Sequence, residues 1–226
     1  MNEVLNDLED AIDLVPSSFY GITRMIVEDG ELNQAAPDVV IYEDRFVVKL
    51  TSNFDRIINS KPDFYLNCYT DGMILKHFLE QRNEGNYLYS TYSRLKSRNT
   101  NLGEIITTIP DFIIHAGQEN FTLENQKLVI EVKTTNRLKK NDFFWDFFKL
   151  NVYVDFFNFQ NGVYLILRQD FNRIVRLLEK YINKGYYLTD NNLDNIHFFI
   201  KFDYNDRISK YSLREILGHI ENQNPH

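Results

Sequence analysis

The amino-acid sequence predicts an α/β fold with a central mixed β-sheet flanked by helices, and three observations carry that prediction. Apolar runs of strand length occur at residues 109–115, 127–135, 163–168 and 196–203. A helix-length apolar run at 141–159 separates the second from the third, and strand, helix, strand at this spacing is a βαβ unit with parallel strands. The first and second runs are joined by a polar segment holding Gly117 and Asn125, which reads instead as an antiparallel hairpin and makes the sheet mixed.

Composition bounds the reading further. With 226 residues, 43% apolar and 25% charged, the chain is long and apolar enough to bury one core. Cys68 is the single cysteine, so an intrachain disulfide is excluded and a zinc cluster disfavoured. Nothing approaches the ~18 uninterrupted apolar residues of a membrane span. The first ten residues are acidic and lack the apolar stretch of a signal peptide, so a soluble, cytoplasmic protein is expected. A net charge of −7 argues against a protein that coats nucleic acid through a broad basic surface, but leaves room for a local basic groove.

Taken in order, Leu5, Leu8, Ile12 and Val15 stand at helical spacing before Pro16. A second helix is predicted over 17–28, closed by Gly30, and then a β-hairpin with arms 39–42 and 45–50 about Glu43-Asp44. Residues 1–67 thus form an N-terminal helical and β-hairpin extension, an accessory layer on a core of 68–226. A helix is expected from Thr70, with Ile74, Leu75, Phe78 and Leu79 inward and Glu80 and Glu84 off the stripe as solvated acids. Residues 92–103 are polar and basic. If they are extended, Arg94, Lys96 and Arg98 face one side. After the hairpin, Asn141 or Asp142 is expected to cap the aromatic-rich helix, whose rings lie on too many faces to form a base-stacking platform. Helices over 169–184 and 212–220 complete the chain.

The strands at 109–115 and 127–135 carry charges that ordinary buried strands avoid. Burying such groups costs several kcal/mol each unless they are paired, hydrogen-bonded or bound to a metal. Period-two alternation projects Glu131 and Lys133 together, opposite the apolar face of Leu128, Ile130 and Val132. If the two strands pair, Asp111 lies next to Glu131. Two converging carboxylates favour a divalent cation, and an all-oxygen donor set without cysteine favours Mg²⁺ or Mn²⁺ over Zn²⁺. A metal beside a lysine is an apparatus for phosphodiester hydrolysis. His115 alternates onto the same face, but four residues of strand put it roughly 13 Å away, outside one metal shell. Two partial copies fail. Pro37-Asp38 is followed by Val47-Val48-Lys49, with Val47 where the second carboxylate would be needed, and Pro62-Asp63 by no Glu-x-Lys at hairpin distance.

Pro110-Asp111 followed by Glu131-Val132-Lys133 resembles the PD-(D/E)xK nuclease superfamily, the restriction-endonuclease-like proteins. The resemblance covers about residues 70–168 and includes the order helix, Asp strand, Glu-x-Lys strand, helix, strand. It implies metal binding by Asp111 and Glu131 and a role for Lys133 near the attacking water. Members often add an acid on the helix before the sheet, for which Glu80 or Glu84 is the candidate. Some branches carry Gln and Tyr four residues apart on the following helix. Here Lys149 and Tyr153 have that spacing, with Lys where the Gln would be.

The function this implies is a metal-dependent nuclease, in the first place an endonuclease acting on DNA rather than RNA. Arg137, Lys139, Lys140 and Lys149 are candidates to contact the substrate backbone, and cutting both strands would favour a homodimer. The alternative is a nuclease-fold protein that binds nucleic acid or a protein partner without cutting. A third reading makes Glu131 and Lys133 an ion pair on a scaffold protein, with Asp111 far away.

Overall fold

Alternation along the apolar strands decides which helices each residue meets. The computed structural model describes residues 3–20, 25–28, 31–34, 43–60, 67–69, 73–74, 87–97, 107–108, 110–115 and 124–223. Its first elements are α1 (Glu3–Asp13), a 3-10 turn (Ser17–Phe19), β1 (Met25–Glu28), β2 (Glu31–Gln34), α2 (Glu43–Asn59), β3 (Asn67–Tyr69) and β4 (Met73–Ile74). There follow α3 (Tyr87–Lys96), β5 (Thr107–Thr108), β6 (Phe112–His115), β7 (Gln126–Lys133), α4 (Lys140–Phe156) and β8 (Gly162–Leu167). The last are α5 (Phe171–Ile182), α6 (Asp190–Asn195), β9 (Ile196–Lys201), β10 (Ser209–Ser212) and α7 (Leu213–Gln223).

The main sheet has the order β10-β9-β8-β7-β6-β3. Strands β7, β8 and β9 are parallel, while β3, β6 and β10 join antiparallel. The fold is therefore α/β with a mixed sheet flanked by helices, and both the hairpin and the βαβ unit are present. Phe112, Ile114, Ile130, Val132, Leu165 and Phe199 face α1 and α2, where they pack on Leu8, Ile12, Phe46, Leu50 and Phe54. Ile113, Val129, Tyr164, Ile166 and Phe198 face the other way, onto α4 with α3, α5 and α7 around it. The aromatic-rich helix is core, as its all-round apolarity requires, with Phe143, Phe144, Phe147, Phe148 and Tyr153 all buried. Gly162 starts β8 where α4 crosses close, and a Cβ there would stand 2.8 Å from Val154 Cγ2.

Several local predictions are corrected. The hairpin expected about Glu43-Asp44 is not there, because residues 43–59 are helix α2. Phe46, Val47, Leu50, Phe54 and Ile58 fit one buried helical stripe, and Glu43 and Asp44 sit in the first turn, where the helix dipole favours acids. A hairpin does occur earlier, as β1 paired with β2, in place of the helix expected over 17–28. The sequence between its arms, Asp29-Gly30, is of the kind two-residue hairpin turns favour, which accounts for Gly30 as well as a helix end does. Residues 87–96 are helical rather than extended, since Leu88, Thr91, Tyr92 and Leu95 make a buried stripe against the aromatic core. Met73 and Ile74 are strand, not helix, and pair with β5. Helix α4 begins two or three residues earlier than expected, with Lys139 at its N-cap and no capping side chain, so neither Asn141 nor Asp142 caps it. Residues 37, 38, 62 and 63, and with them the two partial motif copies, lie outside the described residues.

The sequence predicts an accessory layer over residues 1–67. In the fold α1 and α2 pack on one face of the sheet, against Val163, Leu165 and Leu167 from its central strand β8. No helix among the described residues is long and apolar enough to cross a membrane.

Candidate functional site

The register of the β6–β7 hairpin builds the site. Phe112 pairs with Ile130, so the next position back sets Asp111 opposite Glu131. Pro110 precedes Asp111 and has no N–H to donate to a ladder. There the Asp111 backbone N–H donates to the Ile130 carbonyl (3.1 Å), and the Val132 N–H donates to Asp111 Oδ2 (2.5 Å). The side chain thus takes over as acceptor where the strand backbone stops. Glu131 lies beside Tyr164 and Lys133 beside Ile166 in the parallel register with β8. Asp111, Glu131 and Lys133 consequently share the face that α4 covers.

Helix α4 completes the group with Asp146 and Lys149, three residues apart on one helix face. Lys149 Nζ donates to Glu131 Oε2 (2.6 Å) and lies 3.1 Å from Asp146 Oδ1. Asp146 Oδ2 accepts from the Tyr164 hydroxyl (3.2 Å) and lies 3.4 Å from Lys133 Nζ. From the other layer, Glu43 at the start of α2 reaches the same lysine: Lys133 Nζ donates to Glu43 Oε1 (3.0 Å) and the Thr134 N–H to Glu43 Oε2 (3.3 Å). Four carboxylates therefore surround two ammonium groups, leaving an excess of two negative charges.

Burial gives that excess its weight. Glu131 is 1% exposed, and its Oε1 has no hydrogen-bond partner among the described residues. Burial pushes the Glu131 carboxyl well above the usual range, with Lys149 opposing and the charges of Asp146 and Asp111 adding to the rise. Burial likewise lifts Asp111 to about 6, against the lowering effects of the Val132 N–H and the two lysines. For Lys133 and Lys149 burial acts downward, but the carboxylates win and both ammonium groups are held above their ordinary range. The cations are fixed, and the acids are where protons or a further cation can be taken up.

The structure brings together Asp111, Glu131, Lys133 and Lys149. Arg137, Lys139 and Lys140 follow β7 as exposed side chains on the turn into α4. Thr134 and Thr135 end the strand; the Thr135 hydroxyl accepts from the Arg137 N–H (3.1 Å), and its carbonyl from Gln169 Nε2 (2.6 Å). Glu80 and Glu84 lie outside the described residues. His115 is the last residue of β6, beyond a register shift.

Sequence reasoning missed Asp146, Glu43 and Tyr164. Asp146 carries the signal that flagged the strands, a charge on an element otherwise too apolar for one. Among the described residues, no group of three or more His, Cys, Asp or Glu is arranged to hold a metal ion. Asp146 is committed to Lys133, Lys149 and Tyr164 and Asp111 Oδ2 to the Val132 N–H, so the oxygens open to a cation are Asp111 Oδ1 and Glu131 Oε1. No protein-family model, curated protein or solved structure matches this chain.

Proposed function

We propose that the protein is a metal-dependent nuclease of the PD-(D/E)xK type, hydrolysing phosphodiester bonds in nucleic acid, with DNA the first substrate to test. The observation that carries this reading is the convergence of Asp111, Glu131 and Lys133 on one face of an antiparallel strand pair, with one Glu131 oxygen buried and unpartnered. The run β6, β7, α4, β8 supports it, being the strand that Asp111 leads into, the Glu-x-Lys strand, a helix and a strand. In this reading the helix-borne acid is Glu43 on α2, which already touches Lys133.

The donor set fits a hard divalent cation. Asp111 and Glu131 would hold Mg²⁺ or Mn²⁺, which characteristically takes one or two carboxylates and keeps several waters. When bound, such an ion polarises a phosphoryl oxygen and lowers the pKa of its water. The chain's own part is to position. Glu43 and Asp146 hold the Lys133 ammonium at the open end of β7, where it offers positive charge to a developing phosphorane and orients a water. Exposed Arg137, Lys139 and Lys140 stand next in sequence, able to meet the substrate's phosphates.

The test is incubation with plasmid, single-stranded DNA and RNA, each with Mg²⁺, Mn²⁺ or chelator. Cutting that needs metal, and that Asp111→Asn and Lys133→Ala each reduce by on the order of 10²–10³, is the expected result. One observation favours a second reading, a nuclease-fold protein that binds without cutting: Lys149 occupies Glu131 Oε2 in a buried ion pair. Metal-independent binding of DNA with no cutting under any condition would select it.

A further inference from the structure

We propose that this site is built for a single divalent cation, because the Lys149 ammonium fills the second cationic position between Glu131 and Asp146. The inference rests on the metal-dependent reading above. Two-metal phosphodiesterases hold their ions about 3.5–4 Å apart, bridged by shared carboxylates. Here the group that Glu131 and Asp146 share is Lys149 Nζ, 2.6 Å from Glu131 Oε2 and 3.1 Å from Asp146 Oδ1. Asp146's other oxygen is taken by Tyr164 and Lys133.

Lys149 cannot easily leave. Its side chain is 9% exposed, and the helix that carries it is packed all round, with Phe148, Leu150 and Tyr153 buried beside it. Swinging it out would leave the buried Glu131 carboxylate without its ion-pair partner and Asp146 with Lys133 alone. With all four acids ionised, as cation binding would require, four carboxylates and two ammonium groups reach neutrality with one divalent cation, and a second would overshoot. The unpartnered Glu131 Oε1, on the carboxylate whose Oε2 the lysine holds, is the acceptor left for that one ion.

The experiment is a Mn²⁺ titration of the full chain without nucleic acid, counting bound ions by the loss of the free Mn²⁺ electron paramagnetic resonance signal. The wild type should bind one Mn²⁺ per chain, and Glu131→Gln none. Lys149→Ala, shown folded by circular dichroism, should bind two. Adding Asp146→Asn to Lys149→Ala should return the count to one. Two ions on the wild type, or one on folded Lys149→Ala, would overturn the inference while leaving the nuclease reading intact. No ion on the wild type would instead remove the metal-dependent reading and this inference with it. The wild-type count decides the matter even if Lys149→Ala does not fold.

Discussion

Lys149 and Lys201 are both buried lysines joined to carboxylates, one on each face of the same sheet. Lys201 ends β9 on the face toward α1, where its ammonium lies 2.9 Å from Asp13 and 5.6 Å from the Tyr20 ring centre. The Asp13 side chain is 59% exposed, so this pair leans on water. Lys149 contacts Glu131 and Asp146, whose side chains are 1% and 7% exposed, and both acids have further charged neighbours. One cation is tied to an acid that solvent already stabilises. The other is the one ion-pair partner of the buried Glu131 among the described residues and one of two for the buried Asp146. A buried charge by itself therefore does not mark a site; buried acids in excess of their cations do.

The largest expected effect breaks the Lys149 side of this contrast. Lys149→Ala leaves Glu131 and Asp146 facing each other out of water, and should cost about 3–5 kcal/mol. Urea denaturation without divalent metal measures it. Replacing both partners, Glu131→Gln with Lys149→Met, should recover much of that loss, because no charge is then left stranded. A cost for Lys149→Ala below about 1 kcal/mol would mean the pair is looser than its geometry implies.

Next in size is the pH dependence that Asp111 contributes. Its carboxyl is raised from 3.8 to about 6 in the fold, chiefly by burial, so the folded state prefers the proton. The stabilisation is fully present below pH 3.8 and is lost as pH rises through about 6. A shift of that size corresponds to at most about 3 kcal/mol. Asp111→Asn should remove this component. The difference in unfolding free energy between wild type and variant, followed from pH 3.5 to 7 without metal, should therefore slope against the wild type as pH rises. A flat difference would show that Asp111 titrates as an ordinary surface acid. This slope belongs to the acid-rich face, which sharpens its contrast with the other.

How much of this was legible follows the same division. The strands of the site were legible because alternation and misplaced charge act on neighbouring residues, so Asp111, Glu131 and Lys133 come together from local pattern and one hairpin register. Their helix partner was half legible: Lys149 stood out, but Asp146 was passed over on an element read as pure core. Glu43 was not legible at all, because the run from Val39 to Leu50 is rich in β-branched residues on both sides of Glu43-Asp44 and reads as a hairpin on propensity alone. What decides for helix is the continuation of the stripe through Phe54 and Ile58, which finds a partner surface on the sheet. Tertiary packing outweighed local preference, and it carried an acid to the site from 90 residues away.

The smallest expected effect lies on the Lys201 side and tests whether the comparison holds at all. Lys201→Met keeps most of the apolar stem that packs near Tyr20 while removing the ammonium. Asp13, freed of its partner, needs no rearrangement to be hydrated, because most of its side chain is already in water. The loss should therefore stay within about 1 kcal/mol, the range of pairs that solvent screens. Asp13→Asn should cost more than Lys201→Met, since it strands the buried member of the pair, at 4% exposed, rather than the wet one. The same urea series measures both. If Lys201→Met costs as much as Lys149→Ala, the exposure of the partner acid is not what separates the two lysines, and the excess of buried carboxylate around Glu131 loses its standing as the mark of the site.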